Sequence, residues 1–341
     1  MSIETKILGI HGQDNSLFVK LDTGHHIYQI LFDCGQSGFS NLGKSILQEM
    51  DHLFLSHCHM DHISGFDGLF RHLYSRRRPF IIWGPKDIIN IIHCRIKGFT
   101  WNLVDRSPGE VIVNEITEDE IVSAKFLCRE GFKNKYPLST EKYTDGEIYR
   151  NADFNVKCKI LDHKTDCLAY SVIEEPRKNI NPEKMEKYNF KPGKWCSHLK
   201  QENLPLDLEF DLEGKIYSCK ELYDMLVEVN TGMKVTYVTD IIMNTKNRER
   251  ILELASNADK LIIESTYKES EIELANKNYH LTVNEAALVA KDANVKKLVL
   301  FHVSDRYTKN DLREMLTRAI EIFPESHFPS FWKIGKLQSA T

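Results

Sequence analysis

The 341-residue sequence contains no C-x-x-C pair. Its eight cysteines, Cys34, Cys58, Cys94, Cys128, Cys158, Cys167, Cys196 and Cys219, stand far apart, which is unlike either a zinc ribbon or a disulfide framework. They read as reduced, mostly buried thiols. No apolar run approaches the roughly 20 residues that a bilayer span requires, so no membrane partner is expected. Internal repeats are lacking, and with them the solenoid architectures. The first residues, MSIETKILGI, carry neither a basic nor an apolar leader segment, and a cytoplasmic location is expected. Charge of one sign is also scarce. Forty-five Lys and Arg against 49 Asp and Glu leave −4, so a polyanionic partner would need a local basic patch.

What is present is a mixed α/β pattern with 42% hydrophobic residues, enough for a large core. Short strand-like runs at 6–12, 16–21, 27–33 and 52–56 alternate with turn residues. A helical spacing follows at 63–74, and strands are expected at 80–83, 156–161 and 168–172. Residues 174–214 are polar, hold four prolines and lack core periodicity, as an inserted arm would. Strands then return at 235–239, 261–264 and 297–303, with helices at 248–255 and 283–292. The expectation is a single domain over 1–341, with two sheets covered by helices and interrupted by an arm at 176–212; a two-domain division at the arm is the alternative.

Chemistry begins where the fourth strand stops. Ser56-His57-Cys58-His59-Met60-Asp61-His62 packs three imidazoles and a carboxylate into one turn. Ligands at a strand end are fixed by the sheet yet open to solvent. His57 and His59 can point at one ion while Asp61 and His62 reach a second. The competing explanation, a surface loop that happens to be rich in histidine, does not account for this fixed spacing. Imidazole and carboxylate donors favour zinc, with manganese and iron admitted by ligand type.

Further segments follow in order. They are Leu161-Asp162-His163 before Ala169-Tyr170-Ser171-Val172, Thr236-Tyr237-Val238-Thr239-Asp240, Glu264-Ser265-Thr266-Tyr267, Tyr279-His280-Leu281-Thr282, and His302-Val303-Ser304-Asp305-Arg306-Tyr307. With H-x-H-x-D-H ahead of them, the chain resembles the metallo-β-lactamase superfamily, and within it ribonuclease Z. That resemblance implies a four-layer αβ/βα sandwich and two zinc ions per chain. His57, His59 and His163 would hold one ion, Asp61, His62 and His302 the other, and Asp240 would bridge them. It implies a hydrolase in which the ions lower the pKa of a bridging water, Asp61 orients or deprotonates the nucleophile and His280 protonates the leaving oxygen. Glu264 would orient His280. The Thr282-Val283-Asn284-Glu285 capping box after His280 should anchor that turn. Precursor tRNA would be the substrate, losing its 3′ trailer, and a homodimer is implied.

The match is incomplete. The family's opening Pro-x-Lys-x-Arg element, linked to tRNA, is replaced by Gly9-Ile10-His11-Gly12-Gln13-Asp14. Gln36-Ser37-Gly38-Phe39-Ser40 stands for Glu-Gly-Thr-Gln-x-Gln, and Ile263 for a common histidine. Lys191-Pro192-Gly193-Lys194 with Leu199-Lys200 resembles a degraded tRNA-gripping exosite. Lys191, Lys194 and Lys200, with Arg306 of the last motif, are therefore expected to bind substrate, against the plainer reading of a solvated linker. Arg76-Arg77-Arg78 is either a phosphate patch or a solvated helix end. Two rival functions stay open: a phosphodiesterase for a small substrate such as a cyclic nucleotide, and a metal-loaded nucleic-acid-binding module without turnover.

Overall fold

A computed structural model of the chain describes residues 2–14, 16–38, 42–201 and 203–335. Phe39, Ser40 and Glu202 lie outside the described residues. The chain folds as a large unit and a smaller one, the latter formed by Ala152–Phe154 and Glu174–Gly232.

The large unit holds two mixed sheets. The first contains β1 (Ser2–Leu8), β2 (Ser16–Asp22), β3 (Ile27–Phe32), β4 (His52–Phe54), β5 (Phe80–Gly84), β6 (Glu110–Ile116), β7 (Glu120–Leu127) and β8 (Tyr136–Lys142), side by side in chain order. From β3 to β6 the strands are parallel, and their Ile30, Leu31, Leu53, Phe54 and Ile82 are buried, as continuous apolar strands covered on both faces must be. α1 (Lys44–Gln48), α2 (Met60–Ile63), α3 (Phe66–Leu73) and α4 (Ile88–Ile96) supply the cover, with Phe66, Leu69, Phe70, Ile88 and Ile92 in the same core cluster as Leu31, Leu53 and Val111. The 63–74 helix expected from spacing is two helices, divided near Ser64 and Gly65.

The second sheet contains β9 (Glu147–Arg150), β10 (Phe154–Asp162) and β11 (Asp166–Glu174), then, after the smaller unit, β16 (Lys234–Val238), β17 (Lys260–Glu264), β18 (Leu298–Phe301) and β19 (Ser326–His327). The last four strands are parallel. α8 (Thr245–Ala255), α10 (Val283–Asp292) and α11 (Lys309–Ile322) connect and cover them, and α9 (Ile272–Asn278) follows β17. The expected Thr282–Glu285 capping box is formed at the start of α10. Between the sheets lies an aromatic layer of Phe32, Phe54, Tyr170 and Tyr237. Both tyrosine hydroxyls there are satisfied, by the Leu55 carbonyl at 2.8 Å and the Asp33 carboxylate at 2.9 Å. Either would cost about 1–3 kcal/mol if left unpaired. This is the expected αβ/βα sandwich.

The smaller unit contains β12 (Arg177–Ile180), α5 (Pro182–Lys187), α6 (Trp195–His198), β13 (Glu209–Leu212), β14 (Lys215–Ser218), α7 (Cys219–Leu226) and β15 (Val227–Asn230). β12 pairs with β15, and β13 turns into β14 through Glu213 and Gly214, both at positive φ, as a two-residue hairpin favours. Met185, Phe190, Trp195, Leu199, Cys219, Leu222 and Leu226 form its own core. The stretch 176–212 therefore belongs to a longer folded segment that includes α7 and β15.

Candidate metal centre

Strand ends in the large unit carry the site. His57 and His59 lie between β4 and α2, and Asp61 and His62 are in α2. His163 follows β10, Asp240 follows β16, Glu264 ends β17 and His302 follows β18. Asp33, Asp240 and His302 have φ of 56°, 46° and 51°, a left-handed backbone that side-chain-bearing residues adopt at a cost. At each of these strand ends the chain turns abruptly, and the side chain is held against the cluster.

Two groups of donor atoms result, each with its atoms within 4.8 Å of one another: His57, His59, His163 and Asp240, and Asp61, His62, Asp240 and His302. Asp240 belongs to both. Its Oδ2 lies 3.1 Å from His62 Nε2, 3.7 Å from His57 Nε2 and 3.8 Å from His163 Nε2, while Oδ1 lies 3.3 Å from His302 Nε2. Asp61 Oδ2 is 3.2 Å from His62 Nε2 and 3.6 Å from His302 Nε2.

The outward nitrogens of the rings are engaged elsewhere. His62 Nδ1 donates to Asp33 Oδ2 at 2.9 Å, and His163 Nδ1 donates to the Tyr279 carbonyl at 2.7 Å. Ser56 Oγ gives its proton to Asp33 and so accepts from His57 Nδ1 at 3.1 Å. Thr266 Oγ1 stands 3.2 Å from His302 Nδ1. Four rings thus turn Nε2 inward. The Nε2 of His57 is buried and has no hydrogen-bond partner among the described residues, which is costly unless a cation takes its lone pair. The donor chemistry fits a divalent metal.

The two donor groups differ in their electrostatics: His57 and His163 are lowered, while at His62 and His302 burial is outweighed by neighbouring carboxylates, which raise both. Burial, reinforced by His62, pushes His57 down to about 2, and burial also lowers His163, so both rings are neutral donors. Burial opposes ionisation of Asp61 and Asp240, but hydrogen bonds and charge from His302 and His62 outweigh it and hold both carboxyls well below the usual carboxylate range. His62 is raised well above its ordinary value: burial works against this, and the Asp240 and Asp33 carboxylates prevail.

His280 stands at the edge of the cluster. Its Nδ1 donates to Glu264 Oε2 at 2.9 Å and lies 4.0 Å from Asp240 Oδ1. Burial disfavours its charge, but Glu264 raises it to about 9. Glu264 is fully buried, and its Oε1 accepts from the Ile241 amide at 2.7 Å. Asp240, Glu264, His280 and His302 also have donor atoms mutually within 4.8 Å. A cavity of about 290 Å³ opens here, and Gln13, Asp61, Thr266, His280, His302 and Asp305 contribute to its wall.

The expected substrate residues are not gathered at this cluster. Arg306 pairs with Glu271 at 3.2 Å and lies over the Tyr267 ring. Lys191, Lys194 and Lys200 are exposed in the smaller unit, where Lys191 and Lys200 share the wall of one cavity. Two arginines of the run are engaged: Arg76 donates to three carbonyls, and Arg78 pairs with Asp51 and Glu49. The anchoring parts played by Asp33, Thr266 and the Tyr279 carbonyl are not among the residues that sequence patterns single out. The only hint is Asp33 itself, an acidic residue closing an apolar strand.

No family model matches the chain. Among solved structures, the metallo-β-lactamase-fold protein YhfI from Bacillus subtilis aligns with a TM-score of 0.55 at 15% identity, over 96% of this chain and 95% of that one. Human tRNase Z, short form, aligns with a TM-score of 0.51 at 19% identity, over 89% and 93%. The fold and its His/Asp cluster thus define a metal-binding protein of the metallo-β-lactamase fold. The sequence is 30% identical over 334 residues to a ribonuclease Z of Deinococcus radiodurans, covering 98% of this chain and 99% of that relative. The chain belongs to the ribonuclease Z family.

Proposed function

We propose that the protein is a dinuclear-metal phosphodiesterase that removes the 3′ trailer from precursor tRNA. The observation that carries this reading is Asp240, one buried carboxylate common to two donor groups whose histidines face inward. His57, His59 and His163 would hold one ion and Asp61, His62 and His302 the second, zinc by donor type. Such ions supply Lewis-acid activation of water and neutralisation of charge at phosphorus.

The remaining chemistry falls to side chains. Asp61, ionised and 43% exposed, orients the attacking water and takes its proton. His280, protonated and steadied by Glu264, gives a proton to the departing 3′-oxygen. The P–O3′ bond breaks, leaving a 3′-hydroxyl on the tRNA and a 5′-phosphate on the trailer. The name of the Deinococcus relative supports the RNA substrate. Lys191, Lys194, Lys200 and Arg306 are assigned to the tRNA body, in a cytoplasmic homodimer.

A second reading, hydrolysis of a small phosphodiester, is favoured by one observation: Gly9-Ile10-His11-Gly12-Gln13-Asp14 stands where the family has its tRNA-linked opening element, and Gly12, Gln13 and Asp14 line the cavity beside the cluster. Incubating purified protein with a 3′-extended tRNA precursor and, separately, with cyclic nucleotides decides between them. Trailer release supports the first reading. Turnover of cyclic nucleotides alone supports the second.

A further inference from the structure

The cavity beside the metal centre has a feature that the hydrolytic machinery does not use. Asp305, exposed to solvent, is one of the residues that line it, and its carboxylate has no hydrogen-bond or ion-pair partner among the described residues. The backbone beneath that carboxylate is fixed. Gly12, at φ 71°, packs so closely that a Cβ there would meet Asp305 Cα at 2.8 Å, and its amide donates to the Val303 carbonyl at 3.1 Å. The loop that carries Gly12 is itself anchored, with Trp332 Nε1 donating to the Gly9 carbonyl at 3.1 Å and Asp14 accepting from the Gln36 amide and from Ser64 Oγ. An acceptor-only group is thus presented from a rigid wall.

His280 lines the same cavity. On the function proposed above, on which this inference rests, His280 protonates the departing 3′-oxygen, which brings the ribose bearing that oxygen to the cavity. The 2′-hydroxyl is on the adjacent carbon of the same ribose. About 290 Å³ is room for one nucleoside and little more. We propose that Asp305 accepts a hydrogen bond from the 2′-hydroxyl of the nucleotide on the 5′ side of the scissile phosphate and thereby makes the enzyme specific for RNA at that position. A carboxylate suits the task, since it rewards a hydroxyl donor and offers nothing to a 2′-hydrogen. Lys and Arg, which bind phosphate without telling ribose from deoxyribose, are missing from the described cavity wall.

The test is a two-by-two comparison. A precursor tRNA with a single 2′-deoxy residue immediately 5′ of the cleavage site is compared with the all-ribose precursor, each with wild type and Asp305→Ala, which removes the acceptor altogether. A hydrogen bond to a charged acceptor is worth roughly 10- to 100-fold in kcat/KM. Wild type is expected to lose that factor on the deoxy substrate. D305A is expected to start lower on the all-ribose precursor and to lose little more when the hydroxyl is removed. Equal loss by both proteins, or no loss by wild type while it still cleaves the all-ribose precursor, overturns the proposal for Asp305. No cleavage of the all-ribose precursor by wild type overturns the tRNA reading itself.

Discussion

Around the metal centre, ring after ring is gripped on its outer side, whereas in the Glu174–Gly232 unit Lys191, Lys194 and Lys200 project ammonium groups that no described residue binds. The centre is built at strand ends, with left-handed backbone at Asp33, Asp240 and His302 and with His57, His62, His163 and Asp240 buried. The smaller unit folds around seven buried side chains and leaves its lysines to solvent. Reacting groups must be placed to a fraction of an ångström, so their partners are fixed in advance. Groups that attract a polyanion act through charge over a distance and gain nothing from rigidity. The unit also carries nine basic against twelve acidic residues from Glu174 to Gly232, so any attraction is local to these lysines and not a property of the whole.

The contrast breaks most sharply at Asp240. Asp240→Ala should lower turnover by more than the 10- to 100-fold typical of losing a partner outside the ligand set, with a circular dichroism spectrum like that of wild type. Retained activity would mean that Asp240 joins nothing. Removing the whole smaller unit comes next. The close approach of Gly232 to the Glu174 carbonyl allows a short linker between them, while a cut at 212 would strip Cys219, Leu222 and Leu226 from their core. With the unit replaced, KM for precursor tRNA should rise at least about tenfold while hydrolysis of an aryl phosphodiester holds, since remote binding energy is open only to the large substrate. Equal loss on both substrates would contradict a binding role.

Smaller effects sharpen the contrast. Asp33→Ala should weaken metal affinity by about 10- to 100-fold, read by competition with a chelator, because His62 loses the carboxylate that fixes its ring. Replacing Lys191, Lys194 and Lys200 with Ala should flatten the salt dependence of tRNA binding and leave metal content unchanged. In metal-free protein the His280–Glu264 pair should contribute stability that is complete below pH 6.5, the ordinary histidine value, and lost as pH rises through about 9. Urea midpoints of wild type and His280→Gln across that range should therefore converge at high pH.

Spacing alone makes the H-x-H-x-D-H cluster legible, because all four ligand positions lie in one turn. His163, Asp240 and His302 are legible only through resemblance, since strands from different parts of the chain bring them together. Asp33 escapes because its partner His62 is 29 residues away, and no local pattern records which nitrogen a ring turns outward. The 63–74 helix reads as one piece because its apolar spacing runs through Ser64 and Gly65, which keep right-handed helical backbone while the Gly65 amide leaves the helix pattern and donates to the Cys34 carbonyl. The far limit of the inserted segment reads as 212 because the apolar face of α7 looks like a return to the main fold. That face instead packs into the core of the smaller unit.

The proposed chemistry requires two ions sharing one carboxylate. Metal analysis of protein purified without chelator should find close to two divalent ions per chain, chiefly zinc, and Asp240→Ala should fall to one or fewer. One ion per chain in wild type, or two in the variant, would contradict it.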